Sequence, residues 1–156
     1  RFMKHMYLVL ALLASLSSSV QARDVTIKDA WIRATAPGQQ ATGAFMNITA
    51  HQTMRLIGVN SNIAGVNQIH QMKVENDVMK MSAVPFLALP AGQTVQLKPG
   101  GYHLMFMDLK QTVPQGTQVP LTLTFENASG ERSSLQINLP AQLSPAKGGM
   151  RHSQHR

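Results

Sequence analysis

Short segments in which apolar and polar residues alternate recur along most of the chain. In residues 119–126, for example, Leu121, Leu123 and Phe125 alternate with threonine and other residues, as expected for a strand with one buried face. Turns rich in Pro, Gly and Asn separate these segments. The predicted strands cover residues 25–33, 43–49, 55–61, 67–75, 78–84, 93–97, 102–107, 119–126 and 133–139. Beyond the first residues, no segment shows the period of an amphipathic helix.

This succession of short strands and turns predicts an all-β sandwich. At 156 residues the chain has the length of a single domain, large enough to bury a core without disulfides. We assign that domain to residues 23–140. After Pro140 the alternation stops, and residues 141–156 are predicted to form a flexible basic tail.

The first 22 residues have the features of a secretory signal peptide. Lys4 and His5 precede an apolar run at residues 6–14, and small residues lead up to Ala22. The apolar run is too short to span a bilayer, which disfavours the alternative of an uncleaved membrane anchor. The sequence therefore predicts export to the periplasm, cleavage after Ala22, and a mature chain without a stable membrane span.

Histidine and methionine are concentrated between residues 70 and 107, in triplets whose two donors are separated by one residue. The triplets are His70-Gln71-Met72, Met79-Lys80-Met81 and His103-Leu104-Met105. Residues two apart on a strand point to the same face, so each triplet would present two soft donors side by side. Imidazole with thioether favours Cu(I) over Ca, Mg, Mn or structural Zn. The alternative is that the methionines fill gaps in the core. Three such triplets in one short stretch favour a metal site.

The absence of cysteine narrows the chemistry. Export would place the chain where disulfides form, yet it has no cysteine. A blue-copper electron-transfer centre is therefore excluded, because it needs a thiolate ligand. The acidic residues form no paired-carboxylate or nucleophile motif for acid–base catalysis. A copper oxygenase with histidine as its first residue is disfavoured, since cleavage after Ala22 leaves Arg23. We predict no enzyme activity.

The chain is basic. Its formal net charge is +7, and removing Arg1 and Lys4 with the signal subtracts two charges and leaves +5. Such a charge suits an acidic protein partner or anionic lipid headgroups. Nucleic acid is disfavoured because the basic residues are scattered and only one Trp and two Tyr are available for stacking.

The spacing of His70, Met81, His103 and Met105 follows the pattern H-x10-M-x21-H-x-M. This pattern resembles the copper-binding signature of the periplasmic copper chaperone family, the PCu(A)C domain. The segment LKPGGYHLMFMDLK at residues 97–110 also resembles that family, and the likeness extends over residues 25–139. The resemblance implies a cupredoxin-like Greek-key β-sandwich that binds one Cu(I) through these four side chains. It further implies delivery of the copper to a cuproenzyme, namely the copper centre of cytochrome c oxidase.

Six further residues are candidate auxiliary copper ligands: Met72, Met79, Met107, Met150, His152 and His155. The last three lie in the tail, where a solvated basic segment is the alternative to a secondary Cu(II) site. We expect the main site on an exposed rim of the sandwich. The expected partner is the copper subunit of cytochrome c oxidase or a thiol-bearing copper chaperone. Two other functions stay open: a metal-free structural or adhesive β-sandwich and, less favoured, a copper-dependent enzyme.

Overall fold

The computed structural model describes residues 24–143, and within this range the protein is built from β-strands and turns. The strands are β1 (Val25–Arg33), β2 (Ala41–Ala50), β3 (Met54–Asn60), β4 (Ala64–Glu75), β5 (Val78–Val84), β6 (Leu87–Leu89), β7 (Thr94–Leu97), β8 (Tyr102–Leu109), β9 (Gln118–Asn127) and β10 (Arg132–Gln142). The all-β class predicted from the sequence is confirmed. No helix between residues 24 and 143 is long and apolar enough to cross a membrane.

The sequence analysis predicts no strand between residues 84 and 93, where the structure has the short strand β6. That expectation was wrong. Leu87 and Leu89 are buried and pair with Leu56 and Met54 of β3. Pro85 and Pro90 limit the length of the strand without excluding it, because the three residues of β6 itself keep the alternation of a strand with one buried face.

The strands pair in the order β5-β4-β8-β2-β1-β10-β9-β3-β6, and β7 pairs with β2 alongside β8. β4, β8 and β2 are neighbours although they are distant in sequence, as the crossing connections of a Greek key require. A short parallel pairing of β1 with β10, with Ile32 opposite Ala141, joins two halves. The first half is β5-β4-β8-β2-β1 with β7, and the second half is β10-β9-β3-β6.

The two halves enclose one apolar core. The first half contributes Ile48, Leu104 and Phe106 and the second contributes Leu123 and Phe125, each at most 1% exposed. Burying a side chain of this size stabilises the fold by about 1.5–3 kcal/mol. The predicted β-sandwich is therefore confirmed. Because successive residues of a strand point to opposite faces, the residues between these core positions lie on the outer face of each half.

β4 and β5 form a hairpin whose turn fixes the positions of the donors. Its central residues, Asn76 and Asp77, have φ angles of 50° and 62°. Positive φ at both positions defines a type I′ turn, which Asn and Asp tolerate well. The turn sets the register in which Met72 lies opposite Met81.

The last strand extends two residues beyond the predicted domain end at residue 140. Ala141 is buried, and its backbone N–H donates a hydrogen bond to the carbonyl oxygen of Thr117. Pro140 does not end the strand, because it removes only its own N–H from the pairing, and β10 continues to Gln142. The predicted signal peptide, residues 1–22, and the remainder of the predicted tail, residues 144–156, lie outside the described residues.

Candidate metal site

The predicted donors meet on the outer face of the first half. His70 of β4 lies directly opposite His103 of β8, and Met72 of β4 lies directly opposite Met81 of β5. Met105 follows His103 at the next position on the same face of β8. Opposite residues on neighbouring strands, and residues two apart on one strand, point to the same side of a sheet. Strand pairing thus brings His70, Met81, His103 and Met105 to one surface, together with Met72.

The intervening residues of the same strands anchor this surface from below. Ile69 of β4 and Leu104 and Phe106 of β8 point into the core and are at most 3% exposed. Their burial prevents a one-residue slip of β4 or β8, which would move the donors to the inside. The sequence motif is therefore held in place by the apolar residues that alternate with it.

Four donors line one open cavity of about 280 Å³, with a glycine and an arginine beside them. The lining includes Met72, Met81, His103, Met105, Gly43 and Arg33. His70 is not part of this lining, although its ring centroid is only 5.7 Å from that of His103. Met72, predicted only as an auxiliary ligand, therefore lines the cavity, whereas His70, predicted as a main ligand, does not.

The hydrogen bonds of His70 leave one ring nitrogen free. Nε2 lies 2.8 Å from Oε1 of Gln68, and an amide oxygen only accepts, so Nε2 carries the proton. Nδ1 is buried and has no hydrogen-bond partner among the described residues. A buried acceptor without a partner costs roughly 1–3 kcal/mol, and a metal ion would supply the missing partner. The unpaired Nδ1 of His70 is the observation that indicates a site for a metal ion.

His103 is oriented in the complementary way. Its Nδ1 lies 3.2 Å from the carbonyl oxygen of Gly101, to which it donates a hydrogen bond. Its Nε2 therefore keeps the lone pair. Ligating histidines commonly donate their second N–H to a carbonyl or carboxylate in this manner, which fixes both tautomer and ring orientation. The pair would present one Nδ1, from His70, and one Nε2, from His103.

The surroundings keep His70 neutral. Burial disfavours the charged imidazolium and lowers the pKa of His70 below 6.5, and repulsion by His103 lowers this pKa further. A neutral imidazole is the form that binds a metal. At neutral pH the ring is therefore ready to coordinate without first losing a proton.

The site is less exposed at its centre than the sequence predicted. His70 and His103 are only 7% and 5% exposed, so the expectation of an exposed rim was wrong for the histidines. β4 and β8 lie inside the first half, and the ring of Phe45 stands beside His103 with centroids 6.2 Å apart. Met81, in contrast, lies on the terminal strand β5 and is 47% exposed. Burial thus decreases from the histidines to the open side of the hairpin.

The remaining candidate ligands are distributed unevenly. Met107 shares the donor face but lies one step beyond Met105, opposite Val66 and Ala41. Met79 lies near the hairpin turn, opposite Val74, and is 51% exposed. The described residues contain no group of three or more His, Asp or Glu side chains arranged to hold a metal. The tail candidates Met150, His152 and His155 lie outside the described residues.

Several residues that line the cavity were not predicted from the sequence, among them Arg33 and Gly43. Arg33 of β1 places its guanidinium carbon 5.3 Å from the ring centre of Phe45 and 5.8 Å from that of Trp31. Gly43 of β2 lies opposite Met105, and an added Cβ would come within 3.2 Å of the Phe45 ring. The alternation of Trp31 and Arg33 shows that they share a face, but only the pairing of β1, β2 and β8 brings that face to the donors.

Comparison with solved structures shows that this chain has the fold of PCuAC domains. The copper-bound PCuAC domain from PmoF2 aligns with a TM-score of 0.58 and 24% identity, covering 76% of this chain and 94% of that one. The solution structure of CuI-DR1885 from Deinococcus radiodurans aligns with a TM-score of 0.55 and 28% identity, covering 72% and 74%. The resemblance to the PCu(A)C domain predicted from the sequence is thereby confirmed.

The chain belongs to the LpqE-like family, described as putative lipoprotein LpqE-like, which it matches over residues 25–137. Its curated relatives include the putative lipoprotein Lxx21020 of Leifsonia xyli subsp. xyli, 33% identical over 110 residues, or 70% of this chain. A second is the uncharacterized protein RP573 of Rickettsia prowazekii, 30% identical over 80 residues, or 51% of this chain. The aligned regions span 66% and 44% of the lengths of these relatives.

Proposed function

We propose that the protein is a copper carrier that binds one Cu(I) through His70, Met81, His103 and Met105 and passes it to a cuproenzyme. The observation that carries the proposal is the pairing of His70 with His103 beside a thioether-lined cavity, with Nδ1 of His70 left without a partner. Each donor is neutral and soft or intermediate in character. This set suits Cu(I) better than ions that require oxygen or thiolate ligands.

The charge of the site supports a carrier. Four neutral donors leave the bound Cu(I) with its full charge of +1, and without anionic ligands Cu(II) gains little stabilisation. The ion is then held in its reduced form and can move to a ligand set that contains thiolate. Release without a change of oxidation state is what a carrier requires, so we assign the protein to carriers and not to copper enzymes.

The comparisons support the same function. Among the similar structures, the PCuAC domain from PmoF2 is described as copper-bound, and DR1885 is described in a Cu(I) form. DR1885 is 28% identical to this chain, which supports more than a shared fold. Relatives are named putative lipoproteins, which supports an exported protein of the cell envelope.

The finer assignments belong to the same proposal. We place the protein in the periplasm, with residues 1–22 as its signal peptide. We propose that its acceptor is the copper subunit of cytochrome c oxidase or a thiol-bearing copper chaperone. Met72 is the auxiliary ligand best supported by the cavity lining, whereas Met79 and Met107 lie further away. A secondary Cu(II) site in the tail stays a prediction from its histidines.

Anaerobic titration with Cu(I) against a competing chromophoric chelator tests the proposal. We expect one equivalent to be held, and X-ray absorption at the copper edge to show mixed sulfur and nitrogen scattering. Failure to compete with the chelator would favour the metal-free structural β-sandwich. A shell of nitrogen and oxygen alone would show that the methionines pack against one another without binding copper.

A further inference from the structure

Arg33 is the one permanently charged side chain among the residues that line the cavity. Its guanidinium lies over the faces of Phe45 and Trp31, where cation–π attraction holds it on the outer face of the first half. Phe45 also stands beside His103. A cation is therefore held in a defined place next to the proposed copper ligands.

This cation has no anionic partner in the described part of the chain. The ion pairs found between residues 24 and 143 use Arg55, Arg132 and Lys80. The Arg33 guanidinium makes neither a salt bridge nor a hydrogen bond within that range, although it carries five N–H donors in a planar fork. Because Arg33 is exposed and lines the cavity, its guanidinium is available to an anion from outside.

The charges at the cavity favour the binding of an anionic group. The donors are neutral, so a bound Cu(I) contributes +1 and Arg33 contributes another +1. We propose that Arg33 receives the anionic ligand group of the copper acceptor at this cavity and thereby selects an acceptor protein that presents a thiolate. This inference rests on the proposed function as a Cu(I) carrier. Thiolate is the anionic side chain with high preference for Cu(I), which singles it out from carboxylates.

The transfer that follows is a ligand exchange without oxidation or reduction. The acceptor thiol loses its proton to solvent, and the thiolate sulfur donates an electron pair to form a new copper–sulfur bond. One copper–thioether bond breaks, and the methionine leaves as a neutral side chain. Met81 is the donor that leaves first, because it lies on terminal strand β5 and is 47% exposed.

The strand order leaves an approach path for the acceptor. Met81 on β5 and Arg33 on β1 stand at opposite sides of the first half and line the same cavity. Gly43 of β2 lines the cavity as well, and an added Cβ there would come within 3.2 Å of the Phe45 ring. Because Arg33 and the proposed ligands line one cavity, we expect an incoming anionic group to contact the guanidinium as it reaches the copper.

The test compares two Cu(I) acceptors that share one chelating unit but differ in charge. The dianionic bathocuproine disulfonate and the neutral 2,9-dimethylphenanthroline are each used to withdraw Cu(I) from the loaded protein, and the rate is followed by absorbance. For Arg33→Gln we expect withdrawal by the dianion to slow by about threefold or more, because steering of a charged group by a local positive charge is lost. Withdrawal by the neutral chelator should be unchanged.

Matched variants separate charge at the cavity from charge in general. Arg33→Lys should retain most of the rate, and Arg33→Glu should slow the dianion further. Lys28→Gln removes the same charge from the same strand at a residue that does not line the cavity, and it should leave both rates unchanged. The effect of Arg33→Gln should disappear at about 1 M salt, where the Debye length is roughly 3 Å.

The outcomes distinguish this inference from the proposed function. Equal slowing of both chelators by Arg33→Gln would show that Arg33 only supports the packing of Phe45, and an unchanged rate would show that it has no part in transfer. Either result overturns the role of Arg33 while the carrier function stands. If the unsubstituted protein retains no Cu(I) before a chelator is added, the carrier function itself is overturned.

Discussion

His70 and His103 lie directly opposite each other on β4 and β8, with ring centroids 5.7 Å apart. Each ring is hydrogen-bonded at one nitrogen within the described residues, His70 to the Gln68 side chain and His103 to the Gly101 carbonyl. The nitrogens left without a hydrogen bond are therefore different, Nδ1 in His70 and Nε2 in His103. The strand register brings the rings together, and the hydrogen bonds decide how each ring faces.

Replacing Met81 by Leu should remove a copper ligand without weakening the fold. The side chain is 47% exposed, and Leu preserves its apolar volume. We expect the Cu(I) affinity to fall by at least about 10-fold, since even indirect supports of a metal site commonly contribute this much. Competition against a chromophoric Cu(I) chelator measures the change. Met79→Leu is the matched control, because Met79 occupies the same strand and face but lies nearer the turn.

Equal losses of affinity in the Met81 and Met79 variants would contradict the assignment of Met81. The free energy of unfolding of both variants, measured without metal, should stay within about 0.5 kcal/mol of the parent protein, as for most exposed positions.

Gln68 should control the tautomer of His70. In Gln68→Leu the amide oxygen that accepts from Nε2 is lost, so the metal-free protein should no longer hold His70 as its Nε2–H tautomer. Nitrogen-15 NMR of the imidazole ring measures this directly, without copper. We expect Cu(I) affinity to fall by about 10- to 100-fold, the usual effect of removing such a support. Gln68→Glu keeps an acceptor and should restore the tautomer.

An Nδ1–H tautomer of His70 in the unsubstituted protein would rule out this role of Gln68. The two readouts are independent, so a change of tautomer without a change of affinity would show that His70 is not a copper ligand.

The stability of the metal-free protein should decrease as the pH falls below about 6.5. The pKa of His70 is lowered in the folded state by burial and then by repulsion from His103, whereas the unfolded chain keeps the ordinary value of 6.5. Between these two pKa values the unfolded state binds more protons, so the free energy of unfolding falls with falling pH. The contribution of His70 to the free energy of unfolding is fully present above about pH 6.5. As the pH falls this contribution is lost, and the loss levels off below the folded-state pKa. Urea unfolding at a series of pH values measures it.

The matched control for this pH dependence is His70→Gln, which cannot titrate at this position. Its unfolding free energy should vary less between about pH 5 and pH 7 than that of the parent protein. An identical pH profile in the two proteins would assign the dependence to other groups.

Cu(I) loading should stabilise the fold by linkage. A ligand that binds only the folded state at 100 times its dissociation constant adds about 2.7 kcal/mol. For a domain of this size that corresponds to a rise in Tm of roughly 10 °C. Anaerobic thermal unfolding with and without one equivalent of Cu(I) measures the shift. The Met81→Leu variant should show a smaller rise at the same copper concentration, and a similar rise in both proteins would argue that copper binds elsewhere.

Local sequence patterns predicted the strands and the face on which each donor lies. Leu104 and Phe106 alternate with His103 and Met105, which puts the apolar pair and the donors on opposite faces of β8, because side-chain direction in a strand depends only on position. The hairpin turn is also a local feature, since Asn76 and Asp77 are residues that tolerate positive φ. These features are determined within a few residues of the chain.

The pairings between distant strands could not be predicted in this way. The placement of His70 opposite His103 depends on the pairing of β4 with β8, which are separated in sequence by three other strands. The position of Arg33 near the donors depends on the pairing of β1, β2 and β8. β6 was not predicted because the prolines near Leu87 are typical of a loop and only three residues show the alternation of a strand. The burial of the histidines was missed because it arises from neighbouring strands and from Phe45.

The exposure of Met79 and Met81 on terminal strand β5 makes these two side chains accessible to oxidation. Both side chains are about half exposed, at 51% and 47%, and oxidants can reach their sulfur atoms. A thioether converted to a sulfoxide becomes polar and loses its character as a soft donor, and dedicated reductases reverse the change. Since the chain has no cysteine, oxidation of the proposed copper site would act on its thioethers, with exposed Met81 the most accessible of the proposed ligands, and reduction of the sulfoxide would restore the donor.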